Sequence, residues 1–274
     1  MSKLQVAVQV YSVRDDAEKD FRGTVKKLKD MGYAAVELAG MYGMTAAEIR
    51  QILDEEGLTA LSAHVPYQAF QADLQKTVAD YAAIGCRYIA IPYLMEEDRP
   101  GGEKYEETLK FIEEIGRAAN AAGMTLLYHN HDFEFVKMPN GAYGLDDMYT
   151  RVDAALLQTE IDTCWVNVAG EEPSAYVRKY AGRCPVVHLK DFFMEGKVED
   201  KYELIGIEEK KKVREEGRFE FRPVGHGMQD MPSIVKAAAE SGADWVVVEQ
   251  DQSVGRTPME AVEMSRKFLA GLGL

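Results

Sequence analysis

The feature of this sequence that most constrains its fold is a unit that recurs along the chain: an amphipathic helical stretch, then a glycine, then an apolar run. Six glycines occupy the end-of-helix position: Gly32, Gly57, Gly85, Gly123, Gly182 and Gly242. Glycine is favoured there because it adopts the left-handed conformation without a steric penalty. The runs that follow include YAAVEL, LTALSAHV, RYIAIPYL, MTLLYHN, PVVHL and DWVVVEQ. Most are apolar on both faces, which is typical of strands in a buried parallel sheet.

Two further apolar runs, LQVAVQV at the start and LLQTEID in the second half, bring the predicted strands to eight. The helices carry start signals, since Thr45 and Glu48 form a capping box and Thr257 and Glu260 form another. Eight strands alternating with helices, with no linker rich in Pro, Gly or Ser, predict a single closed (β/α)8 barrel over residues 1–274. A doubly wound open sheet is the competing architecture. It usually has a glycine-rich phosphate loop after its first strand, and QVYSVRDD contains none.

One segment interrupts this rhythm. Residues 192–222, between the seventh and eighth predicted strands, are too long for an ordinary loop and too charged for the core. The charged run Glu208–Lys212 within the segment is predicted to be a solvated face. Two interpretations of the segment stay open. It is either a solvated, partly helical excursion or a flap over the barrel mouth, because it leaves from the end of the barrel where active sites lie.

The charge balance and the cysteines narrow the range of partners. The net charge of −14 and the pI near 4.9 argue against nucleic acid, because nucleic-acid binding needs basic surfaces that neutralise phosphates. No apolar run approaches the length of a membrane span, and no signal peptide is visible. Cys86, Cys164 and Cys184 lack CxxC spacing, which is typical of buried free thiols in a reducing compartment. We therefore expect a cytoplasmic protein that acts on a small molecule, and a homo-oligomer is left open.

Unusual polar residues are concentrated at the C-terminal ends of the predicted strands, where (β/α)8 barrels hold their active sites. They are Gln9, Tyr11, Glu37, His64, His129, Asn130, His131, Asp162, His188, Lys190, Asp191 and Glu249. Burying unpaired carboxylates and imidazoles is costly, so this density of polar groups needs a compensating partner. Asp162, His188 and Glu249 end three consecutive strands and form a hard set of oxygen and nitrogen ligands that suits Mn²⁺, Mg²⁺, Co²⁺ or Zn²⁺. The set predicts a divalent metal site, although any one such residue alone is more often a structural hydrogen-bonding group.

Several motifs, in a specific order and spacing, carry a family resemblance over nearly the whole chain. They are QVYSVRD at the start, GYAAVELAG around Glu37, Ser62–His64, YHNHDFEF, Glu160–Trp165, His188–Asp191, Val224–Gly227 and Val248–Asp251. The chain resembles the xylose-isomerase-like barrels, and within them the sugar phosphate isomerase/epimerase group that includes ketose 3-epimerases and inosose dehydratase. The resemblance implies a metal held by a Glu of strand five, an Asp of strand six, a His of strand seven and a Glu of strand eight.

This sequence matches three of those ligands with Asp162, His188 and Glu249, and departs at the fourth, where it has His129. Either the His129 imidazole replaces the carboxylate as a ligand, or Glu134, five residues on, reaches back to the metal. Mn²⁺ is the leading ion.

In the epimerases the carboxylates of strands five and eight flank the substrate, one removing a proton and the other returning it. With His129 in place of one carboxylate, that symmetric arrangement is in question.

Catalytic roles are predicted for four residues around this metal site. Glu249 is the catalytic carboxylate, and His131 or Glu134 would supply the acid or base on the other face of the substrate. Lys190 would stabilise an enediolate oxygen or act as a base, with a salt bridge to Asp191 as the alternative.

Substrate-binding roles are predicted for four more residues, each with a structural alternative: Glu37, His64, Trp165 and His226. For Glu37 and His64 the options include support of the metal ligands. Trp165 is expected to form an apolar wall of the pocket, and His226, in a turn after the seventh strand, to lie at the substrate rim.

The activity that follows is proton transfer on a sugar or keto-sugar. A divalent ion chelated by the carbonyl and the adjacent hydroxyl would acidify the neighbouring C–H and stabilise the enediolate. Isomerisation or epimerisation is the leading expectation, and β-elimination from a keto-polyol or keto-glycoside is the alternative that His129 favours. A metal-dependent DNA endonuclease would need a basic groove, against which the net charge of −14 speaks. A non-catalytic subunit or binding protein would not need the intact Asp162, His188 and Glu249 set.

Overall fold

A computed structural model of the chain describes residues 4–196 and 217–274, and it confirms the predicted (β/α)8 barrel. The described residues form eight parallel strands: β1 (Gln5–Gln9), β2 (Ala35–Leu38), β3 (Thr59–Ala63), β4 (Tyr88–Ile91), β5 (Thr125–His129), β6 (Gln158–Asp162), β7 (Val186–Leu189) and β10 (Trp245–Val248). Two further strands, β8 (Asp191–Glu195) and β9 (Arg218–Arg222), pair with each other antiparallel in a separate two-stranded sheet.

The strands follow the order β3-β2-β1-β10-β7-β6-β5-β4 around the barrel. The seam between β3 and β4 is closed by a parallel bridge between His64 and Ala90, next to which Val65 N donates to Ala90 O over 2.9 Å. A second bond, from Arg87 N to Leu61 O, spans 3.0 Å across the same seam. Because all eight strands are parallel, their C-terminal ends meet at one rim.

Helices alternate with the strands and cover the outside of the barrel. They are α1 (Arg14–Lys19), α2 (Phe21–Asp30), α3 (Ala46–Glu56), α4 (Tyr67–Ala72), α5 (Leu74–Ile84), α6 (Tyr105–Ala121), α7 (Gly144–Arg151), α8 (Thr163–Val168), α9 (Pro173–Lys179), α10 (Met231–Glu240) and α11 (Pro258–Gly271). Short 3₁₀ helices lie at Val10–Val13, Glu96–Asp98 and Phe133–Phe135. Both predicted capping boxes are present, at the starts of α3 and α11. Helices α3 and α5 end as predicted at Gly57 and Gly85, whose φ angles of 69° and 95° are left-handed.

The barrel interior has two levels, because side chains alternate along each strand with a period of two. The inward-facing residues of the lower level are apolar and pack into one buried cluster, which comprises Ala7, Ala35, Leu61, Tyr88, Ala90, Leu127, Val186, Trp245 and Val247. A larger apolar core fills the space between the strands and the helices. Nearer the strand ends, the inward positions are polar. The lower level therefore forms an apolar plug beneath the polar groups of the rim.

The two described ends of the predicted excursion at 192–222 are β-structure, in β8 and β9. Three phenylalanines of the β8–β9 hairpin are buried and pack with Trp165 in a small apolar cluster. The described ends of the segment therefore pack against the barrel through buried apolar side chains. They are not solvated, which differs from the first of the two interpretations. Residues 197–216, including the run Glu208–Lys212, lie outside the described residues, so the flap over the mouth stays a prediction.

Cys86, Cys164 and Cys184 all lie within the described residues and are buried free thiols, as predicted. No helix among the described residues is both long and apolar enough to cross a bilayer. The cytoplasmic location stays a prediction.

Candidate active site

The polar groups that end β5, β6, β7 and β10 meet at the upper level of the barrel interior. The His129 Nε2 atom lies 3.5 Å from Asp162 Oδ2 and 4.0 Å from Glu249 Oε2. The His188 Nδ1 atom lies 2.9 Å from the same Glu249 oxygen. One ligand atom from each of these four residues lies within 4.8 Å of the others. The structure thus brings together the four residues predicted as metal ligands, which we call the upper cluster.

The donors of the upper cluster fit a divalent ion. Asp162 Oδ1 accepts hydrogen bonds from Cys164 N at 2.8 Å and from Trp165 N at 3.1 Å, so the start of α8 fixes this carboxylate. Its other oxygen, Oδ2, is buried and accepts no hydrogen bond from the described residues. Burial raises the pKa of Asp162 to about 7, because the carboxylate has lost its solvation. A hard divalent cation would supply the missing partner of Asp162 Oδ2, and two carboxylates with two imidazoles are donors that such an ion accepts.

A second group of titratable residues, Glu37, His64 and Glu160, is called the lower cluster. Its two carboxylates are fully buried, whereas His64 is partly exposed. The Glu160 Oε2 atom is hydrogen-bonded to His64 Nε2 at 2.7 Å, and Glu37 Oε2 lies 3.2 Å from the same nitrogen. Burial lowers the pKa of His64, but the two carboxylates outweigh it and raise that pKa overall. Burial raises the pKa of Glu160, but His188 and His64 hold it well below its usual range. The charges of His64 and Glu160 are therefore paired, whereas burial and the neighbouring Glu160 raise the pKa of Glu37 above its ordinary value.

Lys190 is tied to carboxylates at the edge of the upper cluster. Its Nζ atom lies 2.8 Å from Asp251, 3.2 Å from Glu249 and 3.6 Å from Asp162. Burial lowers the pKa of Lys190, but these three carboxylates raise it well above its ordinary value. The alternative salt bridge to Asp191 is wrong, because that carboxylate accepts hydrogen bonds from backbone N–H groups of the turn after β9. Lys190 is therefore a fixed cation, suited to stabilise negative charge and poorly suited to accept a proton.

A cavity of about 300 Å³ opens on the upper cluster. Its lining residues are Tyr11, Ala39, Gly40, His64, Pro66, Pro92, Tyr93, His129, His131, Lys190, Glu249 and Asp251. The volume lies at the lower end of the range for small-molecule sites. Charged and imidazole groups form one part of the wall, while aromatic rings, prolines and small residues form the rest. This combination suits a small ligand with both polar groups and an apolar carbon frame.

His131 reaches the cavity from β5, which stands three strands away from β10 in the barrel order. Its ring stacks on Phe133, with centroids 5.3 Å apart, and meets the edge of Tyr93 at the same distance. Burial lowers the pKa of His131 well below its ordinary value. Of the two residues predicted for the second face of the substrate, His131 is the one that the structure places at the cavity.

Glu134 lies away from both the cavity and the upper cluster. Its Oε1 atom accepts a hydrogen bond from the Tyr128 hydroxyl at 2.5 Å, and its Oε2 atom accepts one from His131 N at 2.7 Å. The 3₁₀ helix Phe133–Phe135 turns the chain at this point, and the carboxylate bonds back to its own loop. Burial raises the pKa of Glu134 to about 7. Of the two alternatives for the fourth ligand, the structure places His129, and not Glu134, with the other three.

Three predicted substrate-binding residues do not line the cavity. His226 is exposed and faces the ring of Phe268 on α11 at 6.4 Å, because its turn packs against that helix. Trp165 is fully buried, and the Lys190 Nζ atom lies 5.5 Å from the centre of its ring. Glu37 is fully buried in the lower cluster. Of the options for Glu37, its position favours support of the metal ligands, whereas His64 does line the cavity.

Sequence reasoning gave no role to Glu160, Asp251 or Tyr93. Glu160 precedes Asp162 by two residues, and Asp251 follows Glu249 by two. Side chains alternate along a strand, so Glu160 in β6 shares the inward face of Asp162, and the sequence shows this signal. Asp251 lies three residues beyond the end of β10, where the strand period no longer applies. Tyr93 had no such signal, because no predicted ligand ends β4.

A (β/α)8 barrel with titratable groups gathered at its C-terminal rim is the arrangement that barrel enzymes have. Residues 25–272 match the family described as xylose isomerase-like TIM barrel, and the chain belongs to this family, as the resemblance predicted. It is similar to inosose dehydratases of Lacticaseibacillus casei and Clostridium beijerinckii, at 24% and 26% identity, over 92% of this chain and 89% of each relative.

Solved structures show the same fold. A sugar phosphate isomerase/epimerase from Parabacteroides distasonis has a TM-score of 0.78 and 21% identity, covering 98% of this chain and 94% of that one. A D-allulose 3-epimerase from a Methylomonas species has a TM-score of 0.69 and 12% identity, covering 99% and 98%. The chain thus shares its fold with a sugar phosphate isomerase/epimerase and a D-allulose 3-epimerase, and it is similar in sequence to inosose dehydratases.

Proposed function

We propose that this chain is a divalent-metal-dependent enzyme that removes a proton beside the carbonyl of a keto-polyol and expels a neighbouring hydroxyl group as water. The observation that carries the proposal is the upper cluster: His129, Asp162, His188 and Glu249 converge where a small molecule has access. The relatives named inosose dehydratase support dehydration as the outcome.

The four residues of the upper cluster would hold the ion. Mn²⁺ is the ion that we propose, with Mg²⁺, Co²⁺ and Zn²⁺ as alternatives that the same oxygen and nitrogen donors accept. Such an ion, when bound, supplies Lewis-acid stabilisation of negative charge on the carbonyl oxygen. The proton transfers are carried out by side chains of the chain itself.

Glu249 is the proposed base, because its carboxylate lines the cavity and belongs to the cluster at its floor. Burial raises the pKa of Glu249, but the Lys190 ammonium at 3.2 Å and His188 at 2.9 Å lower it well below its ordinary value. These contacts keep the carboxylate ionised, which is the state that can accept a proton from carbon.

Lys190 is the proposed stabiliser of the developing charge. Its ammonium lies at the cavity wall, held between Glu249 and Asp251, and needs no reorganisation when negative charge forms on the substrate. The carboxyl group formed on Glu249 then returns its proton to the departing hydroxyl. One C–H and one C–O bond break, a carbon–carbon double bond forms, and water leaves.

The distribution of carboxylates favours elimination over epimerisation. Both carboxylates that line the described cavity, Glu249 and Asp251, follow the same strand, β10. Epimerisation needs an acid or base on each face of the substrate, whereas elimination can proceed with groups on one side. Isomerisation or epimerisation, with His131 as the second group, is the alternative, because His131 lines the cavity from β5.

Turnover of inososes and keto-sugars with added Mn²⁺ in deuterated water tests this proposal. We expect a product lighter than the substrate by one water molecule, with the ultraviolet absorbance of an unsaturated ketone. A product that is an epimer or isomer of the added sugar, with deuterium on the carbon beside the carbonyl, would show that elimination is wrong. It would support isomerisation or epimerisation. The Asp162→Asn variant serves as the control, since both reactions need the upper cluster.

A further inference from the structure

The two nitrogens of His188 face different groups. The Nδ1 atom faces the upper cluster, 2.9 Å from Glu249 Oε2. The Nε2 atom faces the lower cluster, 2.8 Å from Glu37 Oε2 and 3.4 Å from Glu160 Oε2. The imidazole therefore stands between a proposed metal ligand on one side and buried carboxylates on the other.

His129 repeats this arrangement from the neighbouring part of the barrel. Its Nε2 atom faces the upper cluster, 3.5 Å from Asp162 Oδ2. Its Nδ1 atom lies 3.3 Å from Glu160 Oε2 in the lower cluster. Both proposed histidine ligands thus have a carboxylate oxygen at ion-pair distance from the nitrogen that is turned away from the metal site, although neither contact has hydrogen-bond geometry.

The backing carboxylates are themselves held in place. Gln9 Nε2 donates to Glu37 Oε2 over 2.8 Å, and Gln9 Oε1 in turn accepts a bond from Tyr11 N over 3.0 Å. His64 Nε2 holds Glu160 Oε2 at 2.7 Å. The lower cluster therefore has fixed positions, set by side chains from β1, from β2, from the end of β3 and from β6.

Histidines are the partners that compensate the negative charge of the two buried carboxylates in the lower cluster. Glu37 and Glu160 are fully buried, and among the described residues neither forms an ion pair with a lysine or an arginine. A buried carboxylate without a partner is strongly destabilising. The imidazoles therefore stabilise the two buried carboxylates, and the carboxylates stabilise the imidazoles in return.

We propose that Glu37 and Glu160 are positioning residues that fix the rings of His188 and His129 for metal binding, an inference that rests on the metal site of the proposed function. Carboxylates that accept the second N–H of a metal-bound histidine fix its tautomer and orientation and raise its basicity as a ligand. On this arrangement His188 binds through Nδ1 and His129 through Nε2.

The test compares Glu37→Gln and Glu160→Gln with a matched control, Glu134→Gln. Glu134 is also a fully buried carboxylate of this region, but it bonds to Tyr128 and His131 and is absent from both clusters. Calorimetric titration of the metal-free proteins with Mn²⁺ gives the Kd. We expect the Kd to rise about 10–100-fold in each of the two variants and to stay at the wild-type value in the control.

The absorption spectrum of the Co²⁺-saturated proteins gives a second readout that a purely structural role would not move. We expect the visible bands to shift in Glu37→Gln and Glu160→Gln, because the histidine ligands change orientation, and to be unchanged in Glu134→Gln. Thermal unfolding of the metal-free forms shows whether each variant is folded.

Unchanged Kd values and spectra in both variants would overturn the inference, and so would an equal loss in the control. A wild-type protein that binds neither Mn²⁺ nor Co²⁺ would remove the metal site and this inference together. A wild-type protein that binds Mn²⁺ but turns over no keto-polyol would contradict only the reaction class, and the positioning roles of Glu37 and Glu160 would stand.

Discussion

The same strands build two different interiors in this barrel. At the lower level Leu127 and Val186 face inward and pack in an apolar cluster; two residues further along β5 and β7, His129 and His188 face inward among carboxylates. Apolar packing stabilises the lower level. The upper level, which contains both the upper cluster and the lower cluster, buries groups that prefer water. The fold therefore depends on the apolar lower level, and the proposed chemistry depends on the polar upper level.

This difference can be tested because it predicts which property each substitution changes. Substitutions at the lower level should reduce the free energy of unfolding and leave metal binding intact. Substitutions at the upper level should reduce metal binding or turnover and leave a folded barrel. A substitution that strongly reduced both the free energy of unfolding and metal binding would show that the two levels are not separable.

The largest effect is expected at the upper level, for Glu249→Gln. The substitution removes the proposed base while keeping its size, so kcat/KM should fall by about 10²–10⁴-fold. Steady-state kinetics gives kcat/KM on whichever inosose or keto-sugar the wild-type protein turns over. Circular dichroism checks that the barrel is folded. A kcat/KM within about threefold of the wild-type value, with metal still bound, would show that Glu249 is not the base.

At the lower level, Leu127→Ala should cost about 2–5 kcal/mol in the free energy of unfolding, because Leu127 is fully buried and the substitution leaves a cavity. Urea unfolding monitored by tryptophan fluorescence gives this value. The Kd for Mn²⁺, measured below the unfolding transition, should remain that of the wild type. Weakened metal binding with little loss of stability would contradict the division into two levels.

The metal itself should stabilise the upper level. At a free Mn²⁺ concentration of about 100 times the Kd, binding adds about 2.7 kcal/mol to the free energy of unfolding. The melting temperature should therefore rise with Mn²⁺ and fall again with EDTA. Asp162→Asn should show a much smaller rise, since it removes a charged ligand. An equal rise in the variant would mean that Mn²⁺ binds elsewhere.

The smallest effect is expected outside both levels, for Thr257→Ala at the start of α11. The Thr257 side chain accepts a bond from Glu260 N at 3.2 Å in a capping box on the surface. Its loss should cost about 1 kcal/mol in the free energy of unfolding and leave kcat/KM unchanged. An altered kcat/KM would show that distant helices also tune the site.

The sequence predicted well whatever follows from the period of a strand or the end of a helix. Gly57 and Gly85 end helices as expected, and the strand-end positions of Asp162 and His188 bring them together because parallel strands share one rim. The same period would have found Glu160, which stands two residues before Asp162.

The sequence predicted poorly whatever depends on the path of a loop. Glu134 follows β5 closely enough to reach the rim, but the turn at Phe133–Phe135 directs it to Tyr128. Lys190 pairs with Asp251 and not with the adjacent Asp191. Side-chain direction beyond a strand end is set by local backbone conformation, which has no periodicity that a sequence displays.

Anomalous diffraction from crystals soaked with Mn²⁺ tests the proposed metal site, because it locates the ion. We predict one ion with His129 Nε2, His188 Nδ1 and carboxylate oxygens of Asp162 and Glu249 at about 2.0–2.6 Å. An ion bound elsewhere in the barrel, or no ion at these four residues at a saturating Mn²⁺ concentration, would show that the upper cluster is not the metal site.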